Sequence, residues 1–351
     1  MKVCYFGSYL KDYPRHRIII DGLKQHGVDI VEVNSNAMFL LRYPILFFKF
    51  LKVRNFDIIV VGEASNYVQP LALFCKFLTR KPLIFDTLVS LYDTNQDRNI
   101  LQNILISKLV YLLDKFNCKF SDIVLQDTFE STKYFIETFN LPKDKFRRLI
   151  IGAEDKIFYP RESSKTNGKF KVLFYGTYIP LHGVQYIIHA AKILENYEDI
   201  EFQLIGNGQT FNKMKELKEE LKIDNLYFLN SVPYTELPNY IADANICLGI
   251  FGGTMKSMRV IPTKAYQILA MGKPLITGNS KGARELLISG ENSLLCDMAN
   301  PESLAESILL LKNDTKLCNK IALGGFKLFK NKLSSYHIGE LMLGFIKELI
   351  D

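Results

Sequence analysis

The chain has 351 residues, of which 48% are hydrophobic and 23% are charged, and this composition excludes a chain that is disordered over most of its length. The length favours two domains, and the net charge of +7 suits anionic ligands or an anionic membrane surface but is too weak to indicate nucleic acid. The six cysteines are scattered without a C-x-x-C pair, which is typical of buried free thiols in a reducing compartment.

The N-terminal segment MKVCYFGSYL runs directly into a strand pattern, so we expect no signal peptide. No stretch of about 18 uncharged apolar residues occurs, so we expect no segment to span a bilayer. We therefore expect a cytoplasmic protein and leave open whether it works at the inner face of the cell membrane.

In the first half of the chain, short apolar runs alternate with longer helical patterns. Strands rich in β-branched residues that alternate with helices are typical of a buried parallel sheet. The predicted strands cover residues 2–7, 28–34, 57–62, 82–87, 122–127 and 146–152. The predicted helices cover residues 17–27, 67–80, 99–120 and 131–139.

A second series of the same kind follows a break. Residues 153–169 are rich in Gly, Pro, Ser, Asn and charges with little periodicity, so we predict a linker there. The strands predicted beyond it are 170–176, 200–208, 226–232, 245–251 and 292–297, and the helices include 183–196, 211–223 and 235–244. We therefore predict an α/β protein with two doubly wound, Rossmann-like domains, 1–152 and 170–335, and a ligand in the cleft between them. The helical segment 336–351 is expected to pack back on the first domain.

Two glycine-containing turns follow predicted strands of the second domain. In KVLFYGTYIPLHG the strand ends at Gly176, and in LIGNG Gly206 and Gly208 flank Asn207. Glycine lets the backbone approach a ligand, and the helix that follows such a turn offers free amides to an anion. Ordinary turns explain both patterns equally well on spacing alone. LIGNG is not a G-x-G-x-x-G fingerprint, and neither is the G-S-Y-L turn at Gly7, which disfavours a nicotinamide-dependent dehydrogenase.

The segment RVIPTKAYQILAMGKP predicts a helix of about ten residues that begins at Pro262 and ends before Gly272. Three cations, Lys256, Arg259 and Lys264, bracket its N-terminus. Cations at this end oppose the helix dipole, and an anion bound among them would remove the conflict. We prefer a diphosphate site to the alternative of a solvated basic loop.

Taken together, these motifs resemble the retaining glycosyltransferases of family 4, which have the GT-B fold. The resemblance rests on F-Y-G-T-x-I-P-L-x-G, L-I-G-N-G, V-P-Y-T-E-L-P and P-T-K-x-x-Q-x-L-A-M-G-K-P, and it is strongest from Lys171 to Leu295. The first domain matches more loosely, through the Gly7 turn and PLIFDTLVSLYD. The resemblance implies a nucleotide-sugar donor bound by the C-terminal domain, an acceptor bound by the N-terminal domain, and retention at the anomeric carbon.

The resemblance also implies where the donor lies. The base is expected beside the LIGNG turn and Val232, the diphosphate at the helix that Pro262 begins, and the Gly7 turn near the donor phosphate. The implied donor-binding residues are Gly7, Gly176, Thr177, His182, Gly206, Asn207, Val232, Lys256, Pro262, Thr263 and Gln267.

Two phosphate-binding cations of the family are missing from the turn after the first strand of the second domain. Where members usually carry an Arg, this chain has Thr177 or Tyr178, and where they carry a Lys it has His182. We infer that basic charge has moved elsewhere in the site.

A pair of glutamates common in the family is also replaced. The matching positions are Arg259 and Gln267. We predict that Lys256, Arg259 and Lys264 supply the missing positive charge, and that the amide of Gln267 hydrogen-bonds a ribose hydroxyl. The alternative is a degraded donor site.

The predicted catalytic residues are Arg259, Lys264 and Asp86. The two cations would stabilise the leaving diphosphate, because preorganised charge is the main means of assisting such a step. Asp86 follows a strand on the acceptor side, and a cap or loop role is an equal alternative for it. No D-x-D motif occurs, so we expect neither a metal nor another cofactor.

The segment 38–56, MFLLRYPILFFKFLKVRNF, mixes Phe and Leu with Arg and Lys. This pattern is typical of an amphipathic helix on anionic lipid, and it equally fits a helix packed on the core.

The leading hypothesis is therefore a hexosyl-type, metal-independent retaining glycosyltransferase. It would move sugar from a UDP- or GDP-sugar to a glycan or lipid-linked acceptor in polysaccharide or glycoconjugate synthesis. A catalytically silent nucleotide-binding subunit and a nucleotide-sugar epimerase are the alternatives, and nucleic acid is not an expected partner.

Overall fold

The computed structural model describes residues 1–98, 100, 103–163 and 168–351. The chain forms two compact units. The first consists of Met1–Gly152 with Leu333–Asp351, and the second of Ala153–Lys332.

The first unit is built on a six-stranded parallel sheet with the strand order β2-β1-β3-β4-β5-β6. Its strands are β1 (Lys2–Gly7), β2 (Asp29–Asn34), β3 (Ile58–Val61), β4 (Leu83–Asp86), β5 (Ile123–Gln126) and β6 (Phe146–Arg148). Its helices before the second unit are α1 (Pro14–Gln25), α2 (Arg42–Leu51), α3 (Gln69–Thr79), α4 (Leu91–Arg98), α5 (Ile104–Phe120) and α6 (Phe129–Phe139).

The helix predicted over 99–120 begins later than the sequence indicates. Asn103 caps α5, with its side-chain Oδ1 accepting from the amide of Leu105 at 2.9 Å, because an Asn at this position satisfies amides that lack a helical partner. A separate helix, α4, ends at Arg98, and residues 99, 101 and 102 of the predicted helix lie outside the described residues.

The second unit is also a six-stranded parallel sheet, with the order β12-β11-β10-β7-β8-β9. Its strands are β7 (Phe170–Tyr175), β8 (Ile200–Ile205), β9 (Leu226–Leu229), β10 (Ile246–Leu248), β11 (Leu275–Gly278) and β12 (Leu294–Cys296). Its helices are α7 (Val184–Ile193), α8 (Phe211–Glu220), α9 (Leu237–Asp243), α10 (Thr263–Ala270), α11 (Lys281–Arg284), α12 (Pro301–Asn313) and α13 (Thr315–Lys332). The predicted α/β class with two doubly wound domains is confirmed.

The last helix, α14 (Ser335–Ile350), packs against α1 within the first unit. Two glycines allow the close approach: a Cβ on Gly22 would lie 2.2 Å from the carbonyl oxygen of Ser335, and one on Gly339 would lie 2.1 Å from the carbonyl carbon of Gly22. A side chain at either position would therefore separate the two helices.

The segment predicted as a linker is partly built into the second unit. Ala153, Glu154 and Phe158 are buried, and the ring of Phe158 lies 5.3 Å from that of Tyr234 in an edge-to-face arrangement. The linker was predicted from its content of Gly, Pro and polar residues, and that content does not reveal the packing of the Phe158 ring. Residues 164–167 of the predicted linker lie outside the described residues.

Among the described residues, no helix has both the length and the apolar character needed to cross a lipid bilayer.

Candidate donor site and acceptor-side cluster

The strand order of the second unit determines where a ligand is expected. Read from β9, the order is that of a doubly wound sheet whose direction of winding reverses between β7 and β10. In such sheets ligands bind beyond the carboxyl ends of the strands at the reversal point. Gly176 directly follows β7, and the segment after β10 leads to the start of α10.

The two predicted glycine turns pack on each other at this edge. Gly206 has a φ of +138°, and a Cβ there would lie 2.0 Å from the carbonyl oxygen of Gly176. The amide of Tyr178 donates to the carbonyl of Asn207 at 2.9 Å. Only glycine combines this φ with this approach, so the two turns form one rigid surface.

This surface borders a pocket of about 230 Å³. Five of the predicted donor-binding residues line it, together with neighbours from the strand ends and the start of α9. The lining residues are Tyr175, Gly176, Thr177, Ile205, Gly206, Asn207, Ser231, Val232, Tyr234 and Leu237. The structure thus brings together residues that the sequence placed on three separate segments.

Lys264, in the first turn of α10, is a buried cation without an anion. The side chain is 5% exposed, and its Nζ has no hydrogen-bond partner within the described parts of the chain. The Nζ lies 3.8 Å from the centre of the Phe174 ring, and a Cβ on Gly176 would lie 3.0 Å from it. Burial lowers the pKa of the Lys264 ammonium well below its usual value, because the charged form loses its hydration.

Pro262 is the N-cap of α10, and the helix runs over eight residues from Thr263, ending where Gly272 adopts a φ of +63°. No acidic residue lies in its first turn. The free amides of this turn and the Lys264 ammonium together form an arrangement that attracts an anion.

His182 lies in the turn that follows β7. Its Nδ1 hydrogen-bonds the carbonyl of Thr177, and because a carbonyl only accepts, Nδ1 is the protonated nitrogen. The amide of Phe251 donates to the carbonyl of His182 at 3.1 Å, and a Cβ on Gly183 would lie 2.5 Å from the amide of Gly252. The turn after β7 is therefore packed against the segment that leads to α10.

Tyr178 is not available to replace the missing phosphate-binding arginine. Its ring is fully buried and stacks edge-to-face on Phe174 and Phe211, at 6.1 and 5.1 Å. Thr177, the other candidate for that position, is exposed and lines the pocket.

Gln267 is already engaged at both ends of its amide. The Tyr175 hydroxyl lies 3.1 Å from its Oε1, and its Nε2 donates to the Tyr234 hydroxyl at 3.2 Å. Tyr234 in turn donates to Glu154 at 2.8 Å. A carboxamide can donate two hydrogen bonds and accept two, so these two tyrosines do not use its full capacity, and the predicted ribose contact remains a prediction. Glu154 lies in the predicted linker, and no sequence pattern connected it to this site.

Lys256 and Arg259 are half-buried in the turn that precedes α10. The amide of Arg259 donates to the carbonyl of Lys256 at 3.0 Å. Their predicted contact with a diphosphate remains a prediction.

On the acceptor side, Asp86 is not exposed as a substrate-binding carboxylate. It is 0% exposed, and its two oxygens accept from Nε and Nη2 of Arg15 at 2.7 and 2.8 Å. Arg15 is 1% exposed and its guanidinium also approaches the carbonyl of Leu149. Such a bidentate pair makes Asp86 a structural partner that fixes the start of α1 against β4.

Gly7 is likewise packed internally. A Cβ there would lie 2.3 Å from Oγ of Ser65 and 2.8 Å from Cδ1 of Tyr9. The missing side chain therefore makes room for the chain's own residues, and its predicted approach to a phosphate remains a prediction.

Glu63, next to this cluster, was not singled out by the sequence analysis. It follows β3 in the sequence V-V-G-E, and its Oε2 is buried without a hydrogen-bond partner in the described residues. Burial, with a contribution from Asp86, raises the pKa of Glu63 to about 8. Its position could have marked Glu63 as a candidate, because it lies one residue beyond Gly62 at the carboxyl end of a buried parallel strand.

Known proteins resemble this chain in sequence. The family model described as "Glycosyl transferases group 1" matches residues 155–327. An uncharacterized glycosyltransferase of Methanocaldococcus jannaschii is 28% identical over 54% of this chain, and the match spans only 50% of that relative. The capsular polysaccharide biosynthesis glycosyltransferase CapM of Staphylococcus aureus is 23% identical over 97% of this chain and 95% of its own length.

Solved structures share the fold at low sequence identity. A sucrose-phosphate synthase from Thermosynechococcus elongatus matches 99% of both chains with a TM-score of 0.79 and 13% identity. Anabaena HepE, solved in complex with UDP and glucose, matches 99% of this chain and 100% of its own with a TM-score of 0.76 and 14% identity. Residues 155–327 match the group 1 glycosyltransferase family, and the two doubly wound domains of the chain have the GT-B fold.

Proposed function

We propose that the chain is a retaining glycosyltransferase of family 4 that moves a hexosyl group from a UDP- or GDP-sugar to a glycan or lipid-linked acceptor. The observation that carries this proposal is the buried Lys264 ammonium, which has no hydrogen-bond partner in the described residues and lies at the start of α10 beneath Gly176. Burial disfavours the charged form of this lysine, and an anion bound beside it would stabilise that form, so the site suits an anionic ligand.

The neighbouring pocket has a suitable place for the rest of the donor. A nucleoside in the space beside Gly206, Asn207 and Val232 would direct its diphosphate toward Gly176 and the first amides of α10. As the bond between the anomeric carbon and the diphosphate breaks, negative charge develops on the leaving group. Lys264, with Lys256 and Arg259 from the preceding turn, would stabilise that charge, which is why we propose chemistry without a metal.

The relatives suggest the class of reaction served. CapM is named for capsular polysaccharide biosynthesis, and a poly(glycerol-phosphate) alpha-glucosyltransferase of Bacillus subtilis is 24% identical over 52% of this chain. HepE was solved with UDP and glucose. We assign the donor to 170–335 and the acceptor to 1–152 with 336–351, and place the enzyme in polysaccharide or glycoconjugate synthesis in the cytoplasm.

A second candidate is a catalytically silent subunit that binds nucleotide without transferring sugar. The replaced glutamates favour it, because this chain has Arg259 and Gln267 where many family members carry two acids.

Binding separates the proposal from a protein without a donor site. Thermal unfolding is followed with UDP, GDP, uridine, guanosine and the corresponding nucleotide sugars. A ligand that binds only the folded state adds about 2.7 kcal/mol to the unfolding free energy at one hundred times its Kd. One of the two diphosphates should therefore raise the Tm clearly more than its nucleoside does. Equal shifts for nucleoside and diphosphate would overturn the diphosphate assignment.

Turnover separates the enzyme from the silent subunit. The purified chain is incubated with the UDP- or GDP-sugar that binds, with and without EDTA, and released diphosphate is measured. We expect slow hydrolysis of the nucleotide sugar, and we expect it to persist in EDTA. Proton NMR of the released sugar should show the same anomeric configuration, axial or equatorial, as in the donor. Tight binding with no release, even with candidate glycan acceptors, would favour the silent subunit.

A further inference from the structure

Helix α5 buries two polar side chains and exposes several large apolar ones. Asp114 and Asn117 are buried, at 1% and 0% exposure, whereas Leu109 is 65% exposed. Five of its exposed apolar side chains recur at helical spacing and form a continuous stripe along the helix. They are Leu105, Leu109, Leu112, Phe116 and Phe120.

Specific hydrogen bonds hold α5 in this orientation. One oxygen of Asp114 accepts from the Ser90 hydroxyl at 2.6 Å and from the amide of Tyr92 at 3.0 Å. The amide group of Asn117 donates to the carbonyl of Asn66 at 2.8 Å. Rotating the helix to bury its leucines would expose or strand these groups, so the outward apolar stripe is a fixed feature of the fold.

Helix α3 extends the apolar surface. Phe74, Phe77 and Leu78 are exposed on it, with Phe77 at 80%. An open groove of about 1020 Å³ lies between α3 and α5, and Phe116 and Phe120 form part of its wall. On its other side α3 meets α2, where Phe47 lies 6.1 Å from Phe74, ring centre to ring centre. We call α2, α3 and α5 with their exposed side chains the three-helix face.

The charge on the three-helix face is almost entirely positive. Segments 38–56, 67–82 and 103–121 contain a single acid, Asp114, and it is buried. Asp122, which lines the groove, is paired with Lys76 at 2.7 Å. The same segments carry the cations Arg42, Lys49, Lys52, Arg54, Lys76, Arg80, Lys81, Lys108, Lys115 and Lys119. Since the whole chain has 37 acids for 44 lysines and arginines, this separation is specific to the face.

We propose that the three-helix face docks on an anionic lipid bilayer, with the Phe and Leu side chains in the acyl boundary and the lysines and arginines at the headgroups. An apolar stripe bordered by long cations suits this environment, because the stems of Lys and Arg lie along apolar surface while their charges reach anionic groups. A protein partner of mixed charge would find only Asp122 here, already paired with Lys76, to bind its own cations. The inference extends the hypothesis for 38–56 to two further helices and does not depend on the transferase activity.

Vesicle binding of the full chain tests the proposal. The chain is sedimented with vesicles of phosphatidylcholine alone and with vesicles containing phosphatidylglycerol, at low and high salt. We expect binding to the anionic vesicles that weakens with salt. Absence of binding to the anionic vesicles at low salt overturns the proposal.

Matched variants locate the contact. Arg80→Glu with Lys119→Glu should weaken binding at least about 30-fold, since each cation near an anionic surface contributes about a factor of five. Lys316→Glu with Lys320→Glu on α13 makes the same change in net charge and should leave binding within a factor of two. Equal loss in both pairs would show a response to net charge alone and would overturn the assignment of the face.

The apolar part is tested by Phe77→Gln with Leu109→Gln, and by Leu323→Gln on α13 as the control. All three side chains are exposed, so the variants should unfold at the same temperature as the parent. We expect only the first pair to reduce vesicle binding. If instead the parent is a dimer by light scattering and this pair makes it a monomer without changing vesicle binding, the face contacts a second copy and the lipid proposal is wrong.

Discussion

Arg15 and Lys264 are both buried cations at the start of a helix beside the carboxyl ends of a parallel sheet, one in each unit of the chain. Arg15 holds both oxygens of Asp86. Lys264 faces an aromatic ring and, among the described residues, its Nζ has no hydrogen-bond partner. The two residues lie at similar positions in two similar folds, but only Arg15 is paired with a carboxylate of the chain.

The difference separates structure from binding. A buried cation with a bidentate carboxylate is complete in the folded chain, and it leaves nothing for a ligand to satisfy. A buried lysine without an anion has a lowered pKa, and a ligand that brings an anion would stabilise its charged form. We therefore interpret the Arg15 site as structural and the Lys264 site as ligand-binding, and each interpretation predicts a different response to substitution.

The largest effect should follow from breaking the Arg15 pair. Asp86→Ala leaves the guanidinium buried without its anion, and removing one partner of such a pair costs about 3–5 kcal/mol of unfolding free energy. Urea denaturation of the two proteins measures it. The exposed pair between Lys133 and Glu137 serves as a control, because Glu137→Ala should cost only about 0.3–0.5 kcal/mol. A loss below 1 kcal/mol for Asp86→Ala would contradict a structural role for the pair.

The next effect should appear in binding and not in stability. Lys264→Met keeps a similar volume and removes a buried charge, so the ligand-free protein should be as stable as the parent or more stable. Its affinity for the nucleoside diphosphate should fall by about 1.5–3 kcal/mol, the usual value of a hydrogen bond to a charged group, while affinity for the nucleoside stays constant. Isothermal titration calorimetry with both ligands measures the two affinities.

Lys273→Met is the matched control for that comparison. Lys273 lies in the same unit, but its Nζ already donates to the carbonyls of Ala242 and Ala244 at 2.6 and 2.9 Å. Its loss should lower stability and leave diphosphate binding unchanged. If both variants lost diphosphate affinity to the same extent, the loss would not be specific to Lys264, and its assignment as the diphosphate-binding lysine would be wrong.

The sequence predicted the fold and the local outline of the Lys264 site because both depend on short-range patterns. Alternating strands and helices indicated the two sheets, and Pro262 marked the start of α10 within one residue. The glycine turns were placed correctly at the strand ends because positive φ and close approach leave glycine as the residue that fits.

Long-range pairing was not predictable from the same patterns. The pairing of Asp86 with Arg15 was not predicted, because the two residues are 71 positions apart along the chain. The tyrosine partners of Gln267 were not predicted either, because Tyr175 and Tyr234 meet it only after the strands are assembled. The identity of a polar residue indicates what it can bind, and only packing decides whether it is already bound.

Helix α5 shows the same limit in an apolar pattern. A leucine-rich periodicity predicts a helix correctly, yet it suggests that the leucines face the core. In the structure Asp114 and Asn117 lie on the buried side of the helix and form hydrogen bonds with Ser90 and Asn66. Turning the helix would break these bonds, which costs free energy.

Glu63 lies beside the Arg15 pair, and its Oε2 has no hydrogen-bond partner among the described residues. Its pKa is raised to about 8 by burial, assisted by Asp86 and Asp127 and opposed by Arg15. His16, in the same cluster, acts in the opposite direction, because burial lowers its pKa to about 4. The pH dependence of stability therefore contains two opposing contributions, and only a variant separates them.

The smallest effect should be the change in pH dependence that Glu63→Gln produces. The folded parent keeps the Glu63 proton up to about pH 8, whereas an unfolded chain releases it near pH 4.5, so the folded state binds more protons in this window. The contribution of Glu63 to the unfolding free energy is therefore fully present below about pH 4.5 and is lost as pH rises toward 8. Between pH 6 and pH 7 the parent should lose about 1 kcal/mol relative to Glu63→Gln, since one proton corresponds to about 1.4 kcal/mol per pH unit. Urea denaturation of both proteins at the two pH values measures this difference, and His16 cancels from it because both proteins contain it. Parallel pH dependences in parent and variant would mean that Glu63 is ionised in the folded protein, with Arg15 then shared between two carboxylates.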